Sequence, residues 1–129
     1  MYVHYIWIVY SFKPAYAEPV KADALRGQID ALILASVEDE PLHGYAISER
    51  LNVRSGGALD MATGTLYPAL RRLEKAKLLR SEWSIVGGRK RRTYQLTDAG
   101  QRALSAERES WREVSTVVDA ILRPSVGDG

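Results

Sequence analysis

Between Thr63 and Arg92 the chain carries the residue types that bind anions. The stretch TGTLYPALRRLEKAKLL, Thr63 to Leu79, sets leucines at helical spacing with cations between them. At 100° per residue, Leu66, Leu70 and Leu73 fall within about 60° of one another and mark a buried side. Gly64, Pro68, Arg71 and Lys75 project the opposite way, with Tyr67 and Arg72 on the shoulders. A cationic helix face is usually just solvated. A second basic group changes that weighing: Arg89, Lys90, Arg91 and Arg92 follow Gly87-Gly88, and four adjacent like charges at a turn repel unless something anionic lies near. Cations of the second group suit phosphates, giving salt-dependent affinity with little sequence information. Arg71 or Arg72 has the fork that reaches guanine O6/N7, while Thr63, Thr65 and Tyr67 suit phosphate or base edges near the helix start.

The distribution of charge along the chain supports one anionic partner surface. The total is only +2, yet residues 1–62 hold five Lys/Arg against eight Asp/Glu, residues 63–96 nine against two, and residues 97–129 four against six. A segment of +7 therefore stands between two mildly acidic ones. The length of 129 residues at 46% hydrophobic suits a single modest core. Without cysteine there is no disulfide framework, thiolate metal site or cysteine nucleophile, which fits a reducing, cytoplasmic setting. His4 and His43 are the only histidines, and no His/Asp/Glu cluster has zinc-ligand spacing. No phosphate loop and no Ser/His/Asp arrangement is visible. No metal, no cofactor and no catalytic residue is expected, and an enzyme is not.

These groups must be positioned by elements, and the periodicity supplies them. Leu25, Ile29, Leu32, Ile33 and Ser36/Val37 follow a core-facing helical pattern that ends before Pro41. A second helix runs from about His43, with Ile47 and Leu51 inward, to Gly56-Gly57. The third opens at Thr63 or Thr65 as side-chain cap. With a Thr65 cap, Pro68 falls where no intrahelical donor is lost; with a Thr63 cap it sits deeper, with some distortion. LRSEWSIV and RRTYQL then alternate as strands, and Gly87-Gly88 between them supplies a tight hairpin turn that puts Arg89–Arg92 at its tip. Thr97 or Asp98 caps a long last helix that reaches about Arg123, before Pro124. The expected fold is mainly α with a small β-hairpin (α+β), a winged helix-turn-helix of order helix, helix, helix, strand, strand, helix. Its parts are an extension at residues 1–19, the winged domain at 20–97, a C-terminal dimerisation helix at 98–123 and a tail at 124–129.

The N-terminal MYVHYIWIVYSF, followed by Ala15-Tyr16-Ala17, has the look of a signal peptide, but lacks a preceding Lys or Arg. Its roughly 11 apolar positions also fall short of the ~20 that span a bilayer. It is read as an extension outside the core, with Val20 as an alternative start and no membrane partner.

From about Val20 to Leu122 the motifs LRGQIDALIL, PLHGYAI, TGTLYPALRRLE, GGRKRRTYQLTDAG and ESWREV together resemble the PadR family of transcriptional regulators. The resemblance implies a dimeric winged-helix DNA-binding protein, usually a repressor, sometimes released by a small aromatic molecule. Its recognition-helix start falls on Thr63 to Tyr67 and its basic wing on Arg89 to Arg92. The 19-residue aromatic leader is not part of that pattern, and the single last helix resembles the shorter subgroup.

In that last helix Leu104, Trp111 and Val118 are seven apart, as are Glu107, Val114 and Ile121, which writes a short heptad seam with one polar position. The expected dimer interface is Leu104, Trp111, Val114, Val118 and Ile121. Two-fold pairing would set two recognition helices on successive turns of double-stranded DNA, hence a pseudo-palindromic operator. A symmetric pair of Trp111 indoles would offer a platform for a planar ligand. The competing expectation is a winged-helix module whose basic face meets an acidic protein.

Overall fold

The structure, a computed structural model, describes Leu25 and residues 27–125. The extension at residues 1–19, the alternative start at Val20, His4 and the end of the tail lie outside the described residues. The elements in chain order are α1 (Ile29–Ser36), β1 (Leu42–His43), α2 (Gly44–Arg54), α3 (Thr63–Lys75), β2 (Leu79–Val86), β3 (Arg89–Leu96) and α4 (Asp98–Leu122). They form a winged helix-turn-helix, three helices and an antiparallel sheet followed by a long helix.

The core forms where the apolar stripes of the three short helices converge. Ile33 and Leu34 of α1, Ile47 and Leu51 of α2, and Leu66, Ala69, Leu70 and Leu73 of α3 are buried together with Leu79, Tyr94 and Leu104. Leu59 and Met61, in the link before α3, are buried in the same cluster. Their burial brings the chain to Ala62 in extended form, and α3 starts from there. The expectation of a threonine cap is corrected: Ala62 is the N-cap residue and no side chain caps the helix. Thr65 and Leu66 N–H groups both donate to the Ala62 carbonyl, at 3.0 and 2.9 Å. Thr63 and Thr65 are therefore inside the first turn, and Pro68 lies within the helix, deeper than a Thr65 cap would have placed it. Having no N–H, Pro68 leaves the Gly64 carbonyl without its usual i+4 donor.

The end of α3 is firmly closed. Lys77 adopts a left-handed conformation, φ 65°, and is the one non-glycine residue to do so among those described. Its N–H donates to the Glu74 carbonyl at 2.9 Å, and that of Leu78 to the Leu73 carbonyl at 3.0 Å, the double closure of a Schellman turn. Thr97 Oγ1 donates to the Lys77 carbonyl at 2.7 Å and accepts from the Gly100 N–H at 2.9 Å, so Thr97 is the cap of α4.

The sheet differs from expectation by one strand. Leu42 and His43 pair antiparallel with Tyr94 and Thr93, giving the order β1-β3-β2. Two residues carry no periodicity, so no pattern in the sequence marks this strand. β2 and β3 pair from Leu79↔Leu96 to Val86↔Arg89. The turn between them is Gly87-Gly88, both at positive φ (59° and 79°), as a two-residue hairpin requires. The basic run is accordingly not confined to the hairpin tip: Arg89–Arg92 form the first half of β3.

The chain divides into two compact units, one reaching to Ser105 and the other taking α4 from Ala106. In the first, Leu104 is 2% exposed. In the second, Trp111, Val114, Val118 and Ile121 are 46, 49, 38 and 76% exposed. Among the described residues no helix is long and apolar enough to cross a membrane.

Candidate nucleic-acid interface

α3 presents the face read from its periodicity. Leu66, Leu70 and Leu73 are at most 2% exposed, while Thr63, Gly64, Tyr67, Pro68, Arg71, Arg72 and Lys75 lie on the exposed side and Thr65 is half-buried. Arg72 is not free there: its Nη2 donates to Asp30 Oδ1 of α1 at 2.5 Å, which leaves Arg71 and Lys75 as the more available cations of the helix. Tyr67 owes its place to Gly44, the first residue of α2. A Cβ on Gly44 would overlap the Tyr67 hydroxyl and stand 2.7 Å from the ring carbon that bears it. Only glycine lets the phenol lie across the start of α2, so this contact sets where the ring points on the shoulder of α3.

The hairpin register decides which way each wing cation faces. Cross-strand partners share a face and successive residues alternate. Trp83↔Arg92 and Ile85↔Lys90 therefore lie on one face, Ser84↔Arg91 and Val86↔Arg89 on the other. The ring contacts agree: Lys90 Nζ is 6.0 Å and the Arg92 guanidinium 5.4 Å from the Trp83 centroid. At the base of the first face Leu79 and Tyr94 are buried in the core. Burial, the largest cause, raises the Tyr94 phenol pKa, and it prevails over the opposing Arg92 and Arg71 guanidinium groups. Towards the turn the same strands run past the core, and Trp83, Ile85 and Val86 are 62, 72 and 50% exposed. The wing thus carries cations on both sides and an apolar strip along one.

On the opposite face, His43 of β1 pairs with Thr93. Burial first, then the Arg91 guanidinium, hold the His43 pKa below the ordinary histidine value, against an opposing effect of Glu49. His43 is the residue that precedes the first turn of α2, and no cluster of metal-ligating side chains occurs among the described residues.

Several participants lie outside what the sequence pattern singles out. Glu74 accepts hydrogen bonds from Ser81 and Arg92, Asp30 holds Arg72, Trp83 underlies Lys90 and Arg92, and Gly44 seats Tyr67. One signal was present: Glu74 is an acid within a helix face otherwise lined by cations, and a carboxylate in that setting calls for a partner.

Comparison with known proteins agrees with this geometry. Residues 33–106 match the transcriptional regulator PadR-like family. Transcriptional regulator Rv3488 of Mycobacterium tuberculosis is 36% identical over 104 residues, covering 81% of this chain and 94% of that protein. Among solved structures, a PadR family transcriptional regulator from Eggerthella lenta superposes with a TM-score of 0.70 at 30% identity, over 95% of this chain and 99% of that one. A PadR family transcription regulator from Clostridium difficile gives a TM-score of 0.66 at 33% identity, over 74% and 99%. With the family's sequence pattern, the winged-helix fold and the two basic elements in one unit, the chain belongs to the PadR-like family of transcriptional regulators, which work on DNA and are not enzymes.

Proposed function

We propose that this regulator is a homodimeric repressor acting in the cytoplasm, with α3 in the major groove of a pseudo-palindromic operator and the wing against the flanking backbone. The observation that carries the reading is the exposed face of α3, where Gly64, Tyr67, Pro68, Arg71 and Lys75 stand free of the core, in the same unit as a wing with exposed Arg89 and Lys90. Thr63, Thr65 and Tyr67 serve the helix start, and Arg71, with Arg72 if it leaves Asp30, serves base edges. Arg89, Lys90 and Arg91 serve phosphates.

Dimerisation rests on α4. Trp111, Val114, Val118 and Ile121 fall within about 80° of one another on the helix and are all exposed. A stripe of large apolar side chains open to water is what a partner covers. Leu104 lies on the line of the same stripe but belongs to the domain's own core, so the seam begins effectively at Trp111. In the dimer two Trp111 indoles would offer a flat platform for a small aromatic inducer that relieves repression.

Footprinting on the DNA upstream of the protein's own coding region tests the whole reading. The expected result is two protected half-sites about 10 base pairs apart, centre to centre, with affinity falling steeply with salt. Absence of duplex binding even at low salt would support instead the use of the basic face on an acidic protein.

A further inference from the structure

Glu74 is one of only two carboxylates between residues 63 and 96, and it closes a ring of hydrogen bonds that joins three elements. Ser81 Oγ of β2 donates to Glu74 Oε2 at 2.6 Å. Arg92 Nη2 of β3 donates to Glu74 Oε2 and Oε1 at 3.2 and 3.3 Å, and Arg92 Nε donates to Ser81 Oγ at 2.8 Å. The guanidinium also lies 5.4 Å from the Trp83 ring centroid. One member of the ring stands on the recognition helix and one on each strand of the wing.

The placement matters because little else fixes the outer half of the wing. A two-stranded hairpin is marginal on its own, and beyond Tyr94 its apolar residues Trp83, Ile85 and Val86 are exposed instead of packed in the core. Isolated surface ion pairs contribute little. Here one guanidinium nitrogen, Nη2, is shared between the two carboxylate oxygens while Nε donates to the hydroxyl that itself donates to the carboxylate, so Arg92 is held from two directions and its angle is fixed. Arg92 is moreover neutralised by Glu74, so at a duplex the pair displaces no net counterion.

The geometry points to Arg92 as a positioning residue, which with Glu74 and Ser81 sets the angle between wing and recognition helix instead of neutralising a phosphate. This rests on the reading of α3 and the wing as the DNA surface. Arg89 and Lys90 supply the wing's phosphate contacts. Arg92 determines whether those contacts and α3 engage one duplex together.

The test uses the full chain and a mixed-sequence duplex of about 30 base pairs, with affinity measured over a range of salt. Arg92→Met is expected to weaken binding by about fivefold to tenfold through lost preorganisation, with the slope of log affinity against log salt unchanged. Arg89→Ala with Lys90→Ala should lower that slope by about 0.9 for each phosphate that the wing no longer neutralises. Glu74→Met gives the sharper sign. Removing an acid from a cationic surface tightens DNA binding if charge alone acts, and weakens it if the ring positions the wing. The double variant Glu74→Met with Arg92→Met should bind no worse than the weaker single variant, since both break one ring. Arg92→Lys, which keeps the charge and loses the fork, should resemble Arg92→Met. The pair is partly exposed, so thermal midpoints should hold and show that every variant is folded. A slope lowered by Arg92→Met, or tighter binding by Glu74→Met, overturns the positioning role while leaving the DNA surface standing. Failure of the unaltered protein to bind the duplex at any salt overturns both.

Discussion

α3 and the outer half of α4 carry the same kind of sequence pattern and meet opposite fates. In α3, Leu66, Leu70 and Leu73 are closed over by the other helices and the base of the sheet, at most 2% exposed. In α4, Trp111, Val114, Val118 and Ile121 keep from 38 to 76% of their surface in water. An apolar stripe at helical spacing announces that burial is needed. It does not say whether the chain itself provides the cover. A closed stripe sets the stability of the fold, and an open one sets association, so the two answer to different measurements.

The largest effect is expected from breaking the closed stripe. Leu70→Ala opens a cavity at a site with no exposure and should cost about 2–5 kcal/mol, read as a loss of thermal midpoint that does not depend on protein concentration. Breaking the open stripe should do the reverse. Val114→Glu with Ile121→Glu puts four like charges in the proposed seam and should cost several kcal/mol of association. Sedimentation should show monomers whose winged domain melts as before, with operator affinity lost far more than half-site affinity. A variant that is still dimeric at micromolar concentration would place the subunit contact on another surface.

Smaller changes sharpen the same division. Gly44→Ala crowds Tyr67 where its ring crosses the start of α2 and should cost roughly 1–3 kcal/mol by overpacking. Adding Tyr67→Ala should restore the thermal midpoint but not operator discrimination, which separates room for the phenol from its use in recognition. Lys77→Gly relieves a left-handed lysine at the end of α3 and should raise stability by about 0.5–1 kcal/mol, the gain limited by the greater freedom of unfolded glycine. Least of all is the effect of pH through His43. Its folded pKa is depressed by burial and by Arg91, so protonation favours the unfolded chain. The stability it contributes is present above the ordinary histidine value of about 6.5 and is lost as pH falls below it. Thermal melts of the protein and of His43→Gln should diverge slightly between about pH 7 and pH 5.

Much of this was legible because the signals are local. Periodicity marks the three short helices and α4, and the two glycines between alternating runs mark the hairpin. The face of each wing cation was within reach too, since a two-residue turn fixes register. What was not legible depends on residues far apart in the chain. Asp30 and Arg72 are separated by 42 positions and nothing in either stretch announces the pair. The two-residue strand at Leu42–His43 exists only because β3 is there to pair with it. Leu104 and Trp111 are seven apart on one stripe, yet only the packing of the domain around Leu104 separates core from open surface.

Pro68 bears on the mechanics of recognition. Lys77 and Thr97 anchor the far end of α3 through paired hydrogen bonds, whereas its near end begins without a side-chain cap and lacks the bond that a residue other than proline would donate to Gly64. A helix with a missing rung bends most readily there. α3 therefore keeps its regular backbone bonds from Ala69 to Lys75 and lacks one near its start, where Leu66 in the core and Tyr67 against Gly44 hold it and only Thr63 to Thr65 lie ahead of those anchors. In the docking proposed above, where α3 meets a groove whose width varies with base sequence, adjustment of those first residues would take up part of the fit that otherwise falls on the duplex.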